Sequence, residues 1–519
     1  MKLYVKPEAC HLLTDISRFL AKEGVRSYLV GGFVRDVLLG RDTADIDIAV
    51  AADALVIAPK LASAFGGRYI PLDEENGVGR VILFDNGTAP AGVNRELDFT
   101  TLKGNIEQDL AQRDFTIDAI AIELERIFPE TLVAHPSDKR DEVNIIPDML
   151  IDPFDGRKDL RQGIVRAVSE TAFESDAARL IRAVRLAAEL GFSIDSETEA
   201  LICQHRHLIA GVAGERIREE LLRILALPRA GQILAYLEEL GLLATLIPEL
   251  APAKGVSQPK VHVWDVFDHS IKTVSAAEFL LREGIWEHAS AEILDSVPWS
   301  ATLSQHFDQE VGHGSTRRSL LKLAALLHDI AKPQTRTIDE DGRARFLGHH
   351  EEGASVAASI LERLRFSTRE TKLVELMVKH HLRPTQMSHE ELPSRRAIYR
   401  YFRDTGEAGI DILFLSLADH LATRGSHLDP AQWQEHAQIV EYVLTKHSEE
   451  ESLSVPPKLI DGHDLINTLG LSPGPRVGEL LEAVREAQAT GEVTTRQEAL
   501  RYVKFLLTDP AQTSRNEST

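Results

Sequence analysis

The sequence has little cysteine and no long hydrophobic run. Only Cys10 and Cys203 are cysteines among 519 residues, which excludes a disulfide framework and a cysteine-ligated zinc site. No run of roughly 18 apolar residues occurs, so no transmembrane helix is predicted. The N-terminal sequence MKLYVKPEACHLLTD lacks the apolar core of a signal peptide. These absences predict a cytoplasmic protein without membrane association.

Basic residues are also scarce. The chain has 58 Lys and Arg against 80 Asp and Glu, a formal net charge of −22. So acidic a chain is a poor non-specific binder of nucleic acid, and RNA binding would require basic residues gathered locally. The 43% hydrophobic and 27% charged residues are typical of a globular protein. At about 150 residues per domain, the length predicts three or four domains.

The pattern of apolar residues changes along the chain. A helix is predicted over residues 1–25, followed by an α+β region with strands at 28–30, 45–50, 80–84 and 96–100. From about Asp152 onward nearly everything is helical, with strong 3.6-residue periodicity over 175–190 and 214–226. Gly191 follows the first of these helices, where a C-terminal glycine is favoured. Residues 284–316 carry little periodicity and are predicted to be a loop or insertion.

Two glycines, an arginine and two aspartates form the first candidate site. In a strand–Gly31–Gly32–helix unit, bare backbone N–H groups can hold phosphate oxygens, and Arg35 lies one turn further on. Asp45 and Asp47 alternate along a strand and share one face, where oxygen ligands suit Mg²⁺. Two such ions can activate a 3′-hydroxyl and stabilise a leaving pyrophosphate. Asp98 on the next strand could add a third carboxylate. Taken singly, each motif is usually only a turn or a solvated strand end.

Helix 175–190 is the second candidate. Asp176 and Arg179 are surface neighbours at i and i+3, so together they could read the Watson–Crick edge of a base; the alternative is an intrahelical ion pair. This region also collects the basic residues that RNA binding would require: Arg157, Lys158, Arg161, Arg166, Arg182, Arg185, Arg216, Arg218 and Arg223.

Histidines and aspartates mark the C-terminal half. His328-Asp329 lies on an apolar helix, with His269 upstream and Asp419 downstream. Two His-His pairs, 349–350 and 380–381, lie between. Imidazoles and carboxylates on several helices can converge on one or two metals. The alternative is hydrogen-bonded core histidines or surface residues.

The motifs also resemble a known family. LVGGFVRDVLLG, DIDIAV, QRDFTIDAIA, DPFDGRKDL, DAARLIRAVRLAAELGF and GERIREEL occur in the order seen in class II tRNA nucleotidyltransferases and poly(A) polymerases, over about residues 25–250. The resemblance implies a polymerase-β-like head with a mixed sheet, a helical neck and a tRNA-binding tail. It also implies roles for individual residues. Asp45 and Asp47 would bind Mg²⁺, and Gly31, Gly32 and Arg35 would hold the triphosphate. Arg113 and Asp114 would contact the ribose, Asp176 and Arg179 would select CTP and ATP, and Arg182 and Arg185 would also bind nucleotide.

Three departures from the family pattern stand out. Gln112 and Ser175 replace an arginine and a glutamate that the family commonly has. The connection TLKGNIEQDLA is short. Family members that complete the whole CCA end usually have a longer flexible loop here, and CC-adding members lack it.

The C-terminal half, about 262–425, resembles the HD superfamily of metal-dependent phosphohydrolases. That resemblance implies His269, His328, Asp329 and Asp419 as core ligands, His349 and His380 for a second metal or phosphate, and Lys332 facing a substrate phosphate. The implied metal is Mn, Ni, Co, Fe or Mg. The implied activities are 2′,3′-cyclic phosphodiesterase, 2′-nucleotidase or phosphatase.

The predicted organisation is a nucleotidyltransferase head (1–150), a helical nucleotide-selecting and RNA-binding neck (151–260), an HD domain (261–447) and a small helical tail with a disordered end (448–519). The predicted fold class is α+β. The predicted function is addition of CCA, or part of it, to tRNA 3′ ends from CTP and ATP. The alternatives are a CC-adding enzyme, a poly(A) polymerase making long tails, and a non-catalytic RNA-binding or nucleotide-sensing protein.

Overall fold

A computed structural model gives the structure of the chain. It describes residues 2–4, 7–41, 43, 45–84, 95–127, 142–144, 147–259, 261–288, 290–387, 392–452 and 458–508. Residues 509–519, where the disordered end is predicted, lie outside this description. The chain forms two compact units, one of residues 1–212 and 236–246, the other of 213–235 and 247–519. None of the helices in the described ranges is long and apolar enough to cross a bilayer.

A seven-stranded mixed sheet organises the first unit. Its strands lie in the order Arg68–Asp73, Val78–Leu83, Arg95–Thr101, Asp45–Val50, Ser27–Val30, Ala121–Glu123 and Leu150–Ile151. Asp45–Val50 pairs parallel with Arg95–Thr101 and antiparallel with Ser27–Val30. Its inner residues are buried and its first residue is exposed, so the strand carries polar side chains out to one end of the sheet. The mixed sheet confirms the predicted fold class of the head.

The first unit also contains a series of helices. They are Pro7–Lys22, Gly31–Leu38, Ala54–Phe65, Ile106–Leu110, Leu124–Ile127, Gly156–Gln162, Ala172–Ser175, Arg179–Leu190, Ser196–His205 and Leu243–Leu246, with 3₁₀ turns at Thr116–Asp118, Pro147–Met149 and Arg206–Gly211. Short strand pairs join Lys2–Tyr4 to Glu142–Asn144 and Ile164–Val165 to Ser193–Ile194. The helix predicted over 175–190 begins only at Arg179, because Asp176 is extended. It ends at Gly191, whose φ is 71°.

The second unit is helical. Its main helices are Gly214–Ala226, Val266–Leu280, Arg317–Leu327, His349–Arg363, Thr368–His380, Arg395–Thr405, Gly409–Arg424 and Pro430–Ser452; Ala230–Glu239 begins in this unit and ends in the first. Shorter elements are the helices Ala291–Asp295, Ala301–Asp308 and Arg383–Gln386, the 3₁₀ turns Pro248–Ala253, Gly406–Ala408 and Gly425–His427, and the hairpins Glu310–Gly312 with Ser315–Thr316 and Arg336–Ile338 with Ala344–Phe346. Capping boxes at Thr316 and Ser367 begin two of the long helices.

Residues 284–316 are more ordered than the predicted loop or insertion. They form two short helices and a hairpin, and Phe307 lies 4.7 Å from Phe414 between ring centroids. Trp299 stacks on Phe307 at 6.0 Å. Aromatic contacts between residues far apart in sequence produce no helical periodicity, so the periodicity did not predict this structure.

Residues 458–508 form three helices, Gly462–Leu469, Pro475–Ala489 and Arg496–Thr508. They enclose a core of their own. Its fully buried members include Leu465, Ala499 and Val503.

Candidate functional site

The two aspartates of the head lie at one end of the central strand. Asp45 is exposed and Asp47 partly buried, and the parallel register places Asp98 opposite Asp47. Arg80 donates to Asp98 through two hydrogen bonds of 2.7 and 2.9 Å. Asp98 is therefore paired with an arginine, while Asp45 and Asp47 share one face.

Asp47 has an unusual proton affinity. Burial raises its pKa to about 6, and the nearby Asp98 and Asp118 add to this, against the opposing charge of Arg113. Carboxylates crowded in this way favour either a proton or a cation between them. The site therefore fits a divalent cation bound through oxygen ligands.

Gly31 makes close approach to Asp47 possible. Its φ is +67°, in the left-handed region, and a Cβ there would lie 2.8 Å from Asp47 Oδ2 and 2.9 Å from Arg113 Nη1. A larger residue would be strained and would displace both groups. Gly31 and Gly32 begin the helix Gly31–Leu38, so their backbone N–H groups are free of intrahelical bonds.

Arg35 is held by two carboxylates. Its Nε and Nη2 donate to Asp36 at 2.9 and 3.1 Å, and its Nη1 donates to Asp118 at 2.8 Å. Burial raises the pKa of Asp118. The positive charge of Arg35 opposes this increase, and the negative charge of Asp114 adds to it. Sequence reasoning missed Asp118. The signal was its place inside the QRDFTIDAIA motif.

A second ion pair lies beside the first. Arg182 Nε lies 2.9 Å from Asp114 Oδ2. Burial works against ionisation of Asp114, but the charges of Arg182, Arg179 and Arg113 outweigh it and hold its pKa below the ordinary value. The structure thus brings Arg113, Asp114 and Arg182 together near Asp47.

Arg179 is held mainly by backbone carbonyls. Its guanidinium donates to the carbonyls of Gln112 at 2.7 Å, Ala172 at 3.2 Å and Arg113 at 3.3 Å. Asp176 Oδ1 accepts from the backbone N–H of Ala178, and Asp176 Oδ2 lies 4.0 Å from Arg179 Nε. The two side chains thus lie at the limit of ion-pair distance, with Asp176 preceding the helix that begins at Arg179.

Arg185 lies in a different setting from the other predicted nucleotide-binding residues. It is 5% exposed and pairs with Glu189 one turn along the helix Arg179–Leu190. This arrangement stabilises the helix. Its predicted contact with nucleotide stays a prediction.

Five side chains of the second unit converge on one buried space. His269, His328 and Asp329 form one possible metal-binding group, and Asp329, His349 and His381 form another, with the ligand atoms of each group within 4.8 Å of one another. The Nε2 atoms of His269 and His328 are 3.2 Å apart, and those of His349 and His381 are 3.3 Å apart. Asp329 belongs to both groups, so it could bridge two metals.

Two of the histidine rings are oriented for metal binding. Nδ1 of His328 lies 2.9 Å from the carbonyl of Ala325, and Nδ1 of His381 lies 2.7 Å from that of Val378. When Nδ1 donates to a carbonyl, Nε2 carries the lone pair and is a ligand. Burial lowers the pKa of His381 to about 3, which keeps its ring neutral.

The structure corrects one predicted ligand: His381, not His380, lies in the cluster. Successive helical residues point about 100° apart, so only one member of a His-His pair faces the interior. Met377 and Val378 are fully buried, and His381 follows them at helical spacing. That spacing could have identified His381 from sequence.

Asp419 and Lys332 border the cluster. Asp419 Oδ1 lies 3.0 Å from His269 Nε2, and Lys332 Nζ lies 2.5 Å from Asp329 Oδ2. Lys332 also donates to Gln258 Oε1 at 2.7 Å, and the His262 ring lies 5.5 Å from that of His269. Sequence reasoning missed Gln258 and His262, because neither belongs to a motif that marks it.

Three known domain families match the chain. The Poly A polymerase head domain matches residues 27–166, the probable RNA and SrmB-binding site of polymerase A matches 191–254, and the HD domain matches 287–424. The HD match begins after His269, although the structure brings His269 into the cluster.

Relatives cover nearly the whole chain. An A-adding tRNA nucleotidyltransferase of Deinococcus radiodurans is 35% identical over 92% of this chain and 94% of the relative. A CC-adding tRNA nucleotidyltransferase of Thermus thermophilus is 33% identical over 92% and 93%. One of Geobacter sulfurreducens, also CC-adding, is 34% identical over 94% of each.

Solved structures share the fold. A CCA-adding enzyme in complex with ATP superposes with a TM-score of 0.61 at 21% identity, covering 98% of this chain and 96% of its own. The Thermotoga maritima CCA-adding enzyme complexed with tRNA gives 0.57 at 22% identity, covering 97% of each. Matched along nearly its full length by enzymes of one kind, and carrying the polymerase head and the HD domain in the predicted order, the chain belongs to the tRNA nucleotidyltransferase family.

Proposed function

We propose that the chain adds the two cytidines of the CCA end to tRNA. The observation that carries this proposal is the short connection after the strand Arg95–Thr101. Only residues 102–105 separate that strand from the helix Ile106–Leu110, and Asn105 and Gln108 close the connection as a capping box. Family members that complete CCA usually have a longer flexible loop here. Of the three relatives described above, two are CC-adding, in line with this proposal, and one is A-adding.

Asp45 and Asp47 would hold Mg²⁺. The fit rests on their shared face, on oxygen-only ligands, and on the raised pKa of Asp47, which a bound cation would reverse. When bound, the metal activates the attacking hydroxyl and stabilises the leaving pyrophosphate.

The remaining residues bind and orient the nucleotide. The N–H groups of Gly31 and Gly32, together with Arg35, would hold the triphosphate. Arg113 and Asp114 would contact the ribose.

The tRNA 3′-oxygen then attacks the α-phosphorus of CTP: a new P–O bond forms, the bond between the α-phosphorus and the bridging oxygen breaks, pyrophosphate leaves, and the hydroxyl proton passes to solvent.

Asp176 and Arg179 would select the base. A carboxylate accepts a hydrogen bond from the cytosine amino group, and a guanidinium donates to ring or carbonyl acceptors. Because three backbone carbonyls orient Arg179, its direction is fixed before nucleotide arrives. Arg182 and Arg185 extend the positive charge along the same helix.

The test uses the purified protein, Mg²⁺ and three tRNA transcripts that end in the discriminator base, in C and in CC. Each is incubated with CTP, with ATP and with both, and the products are sized on a gel. We expect growth to CC from CTP, and no extension of the CC transcript by ATP. Addition of A to that transcript would overturn the assignment. A long A tail would indicate a poly(A) polymerase, and no addition at all would contradict nucleotidyl transfer.

For the second unit we propose a two-metal phosphohydrolase. His269, His328 and Asp329 would hold one ion, and Asp329, His349 and His381 the other, with Asp419 beside the first. Imidazole-rich ligand sets favour Mn, Ni, Co or Fe over Mg²⁺. Lys332 would face the substrate phosphate. The water oxygen would bond to phosphorus and lose a proton, the ester P–O bond would break, and the leaving oxygen would take up that proton.

Hydrolysis of 2′,3′-cyclic AMP, 2′-AMP and p-nitrophenyl phosphate is measured after loading with each metal. We expect at least one substrate to be turned over in a metal-dependent manner. Asp329→Asn should abolish that turnover and leave cytidine addition intact. Unchanged turnover in Asp329→Asn would contradict the assignment. The cytoplasmic location stays a prediction.

A further inference from the structure

We infer that Asp118 is a positioning residue: it orients Arg35 at the Gly31–Gly32 turn, so that the guanidinium is aimed at the triphosphate of an incoming nucleotide. This inference rests on the proposed function of the head. Nothing in the motif chemistry assigns Asp118 this role.

The first step is a count of donors on Arg35. A guanidinium has five N–H groups. One on Nε and one on Nη2 go to Asp36, and one on Nη1 goes to Asp118. Among the described residues, one N–H therefore remains without a partner on each terminal nitrogen, which suits two oxygens of a phosphate.

The second step is the direction of those donors. A Cβ placed on Gly32 would lie 3.5 Å from Arg35 Nη2, so the guanidinium packs against the backbone of the turn. The remaining donors of Arg35 therefore lie beside the N–H groups that begin the helix Gly31–Leu38. Asp36 is the next residue along that helix and moves with Arg35, whereas Asp118 is 83 residues away and fixes the guanidinium from outside the helix.

The third step is the burial of Asp118. Its side chain is 3% exposed, against 12% for Arg35, and no hydrogen-bond partner of Oδ2 is found among the described residues. A buried carboxylate with one oxygen unsatisfied is costly unless it keeps a specific partner in place. If Arg35 needed only a counter-ion, Asp36 alone would supply it.

The experiment is a double-mutant cycle on ligand binding. Binding of CTP, inorganic tripolyphosphate and CMP is measured with Mg²⁺ present for wild type, Asp118→Ala, Arg35→Ala and the double variant. We expect Asp118→Ala to weaken CTP and tripolyphosphate binding about tenfold while CMP binding stays within twofold. In the Arg35→Ala background, Asp118→Ala should have no further effect, because Asp118 acts only through Arg35.

Asp159→Ala is the matched control. Asp159 is equally buried and pairs with Arg166 at 3.1 Å, so its loss tests general damage to a buried ion pair in the same unit. We expect its CTP and tripolyphosphate affinities to stay near those of wild type. Should Asp118→Ala fail to fold, the isosteric Asp118→Asn replaces it, with a smaller loss of about threefold and the same difference between tripolyphosphate and CMP.

Three results would overturn the inference: unchanged CTP affinity in Asp118→Ala, an equal loss for CMP, or additive losses in the double variant. Wild type that binds neither CTP nor tripolyphosphate would instead refute the proposed function itself. The two failures are therefore distinguishable.

Discussion

The two candidate metal sites of this chain are built from different ligands in different surroundings. In the head, carboxylates stand at one end of a sheet, with Asp45 exposed and arginines close by. In the second unit, four imidazoles and the 1% exposed Asp329 converge inside a helical core. An open oxygen site suits Mg²⁺ that arrives with substrate phosphates, whereas a closed nitrogen-rich site suits a resident transition metal. Coordination chemistry thus distinguishes the two proposed metal sites within one polypeptide.

The largest expected effect separates the two sites by substitution. Asp47→Ala should lower CMP incorporation into tRNA by about 10³-fold or more, since it removes a proposed metal ligand, and should leave metal-dependent phosphohydrolysis unchanged. His328→Ala should do the reverse. The measurement is both activities on each variant, together with elemental analysis of bound metal. A variant that lost both activities while still folded would show that the sites depend on each other.

A smaller effect distinguishes the two members of one histidine pair. His381→Ala should reduce phosphohydrolase turnover and bound metal by about 10²-fold, because its Nε2 lies in the cluster. His380→Ala is the matched control and should change neither by more than a few-fold, since His380 is not in the cluster. Equal losses in the two variants would contradict the ligand assignment. Neither variant should affect cytidine addition.

The smallest expected effect concerns stability of the head. Because the pKa of Asp47 is raised to about 6 in the folded protein, the ionised form of Asp47 opposes folding. The penalty is fully present above pH 6 and disappears as the pH falls below the ordinary value for aspartate. In metal-free protein at pH 8, Asp47→Asn should therefore stabilise the fold by about 1–2 kcal/mol, discounted for the partial exposure of this side chain.

Denaturant unfolding in EDTA at pH 8 and pH 4 checks this prediction. The gain should be much smaller at pH 4, because Asp47 is then protonated in the folded state and partly protonated in the unfolded state, whose carboxyl has the ordinary aspartate pKa. Asp45→Asn is the control, because Asp45 is exposed and its substitution should change stability by less than about 0.5 kcal/mol. A gain independent of pH would rule out ionisation of Asp47 as its cause.

Much of the head could be predicted because its signals are local. The alternation in DIDIAV predicts a strand over 45–50, which is the strand observed, and puts Asp45 and Asp47 on one face. The glycine pair predicts a turn into a helix, and the helix begins at Gly31. Gly191 ends its helix in the left-handed conformation, as predicted. Each of these features depends on neighbours within about four residues.

The second unit was predicted less completely. The motif order gave His328-Asp329 but not the member of the 380–381 pair that faces inward. The buried residues before it carried that information, because helix phase is set by which face packs. Residues 284–316 were missed for a related reason. Their anchors, such as Phe307 against Phe414, join positions far apart in sequence.

The sequence by itself determined the family, the order of its motifs, the α+β head and the residue types available for two kinds of metal chemistry. Only the tertiary structure decided that Asp329 belongs to both histidine groups, that His381 replaces His380, and that Asp118 holds Arg35 across 83 residues. The physical reason is the distance along the sequence over which each interaction acts. Periodicity and capping act between near neighbours and are written in the sequence, whereas ligand convergence and buried ion pairs exist only after distant segments pack together.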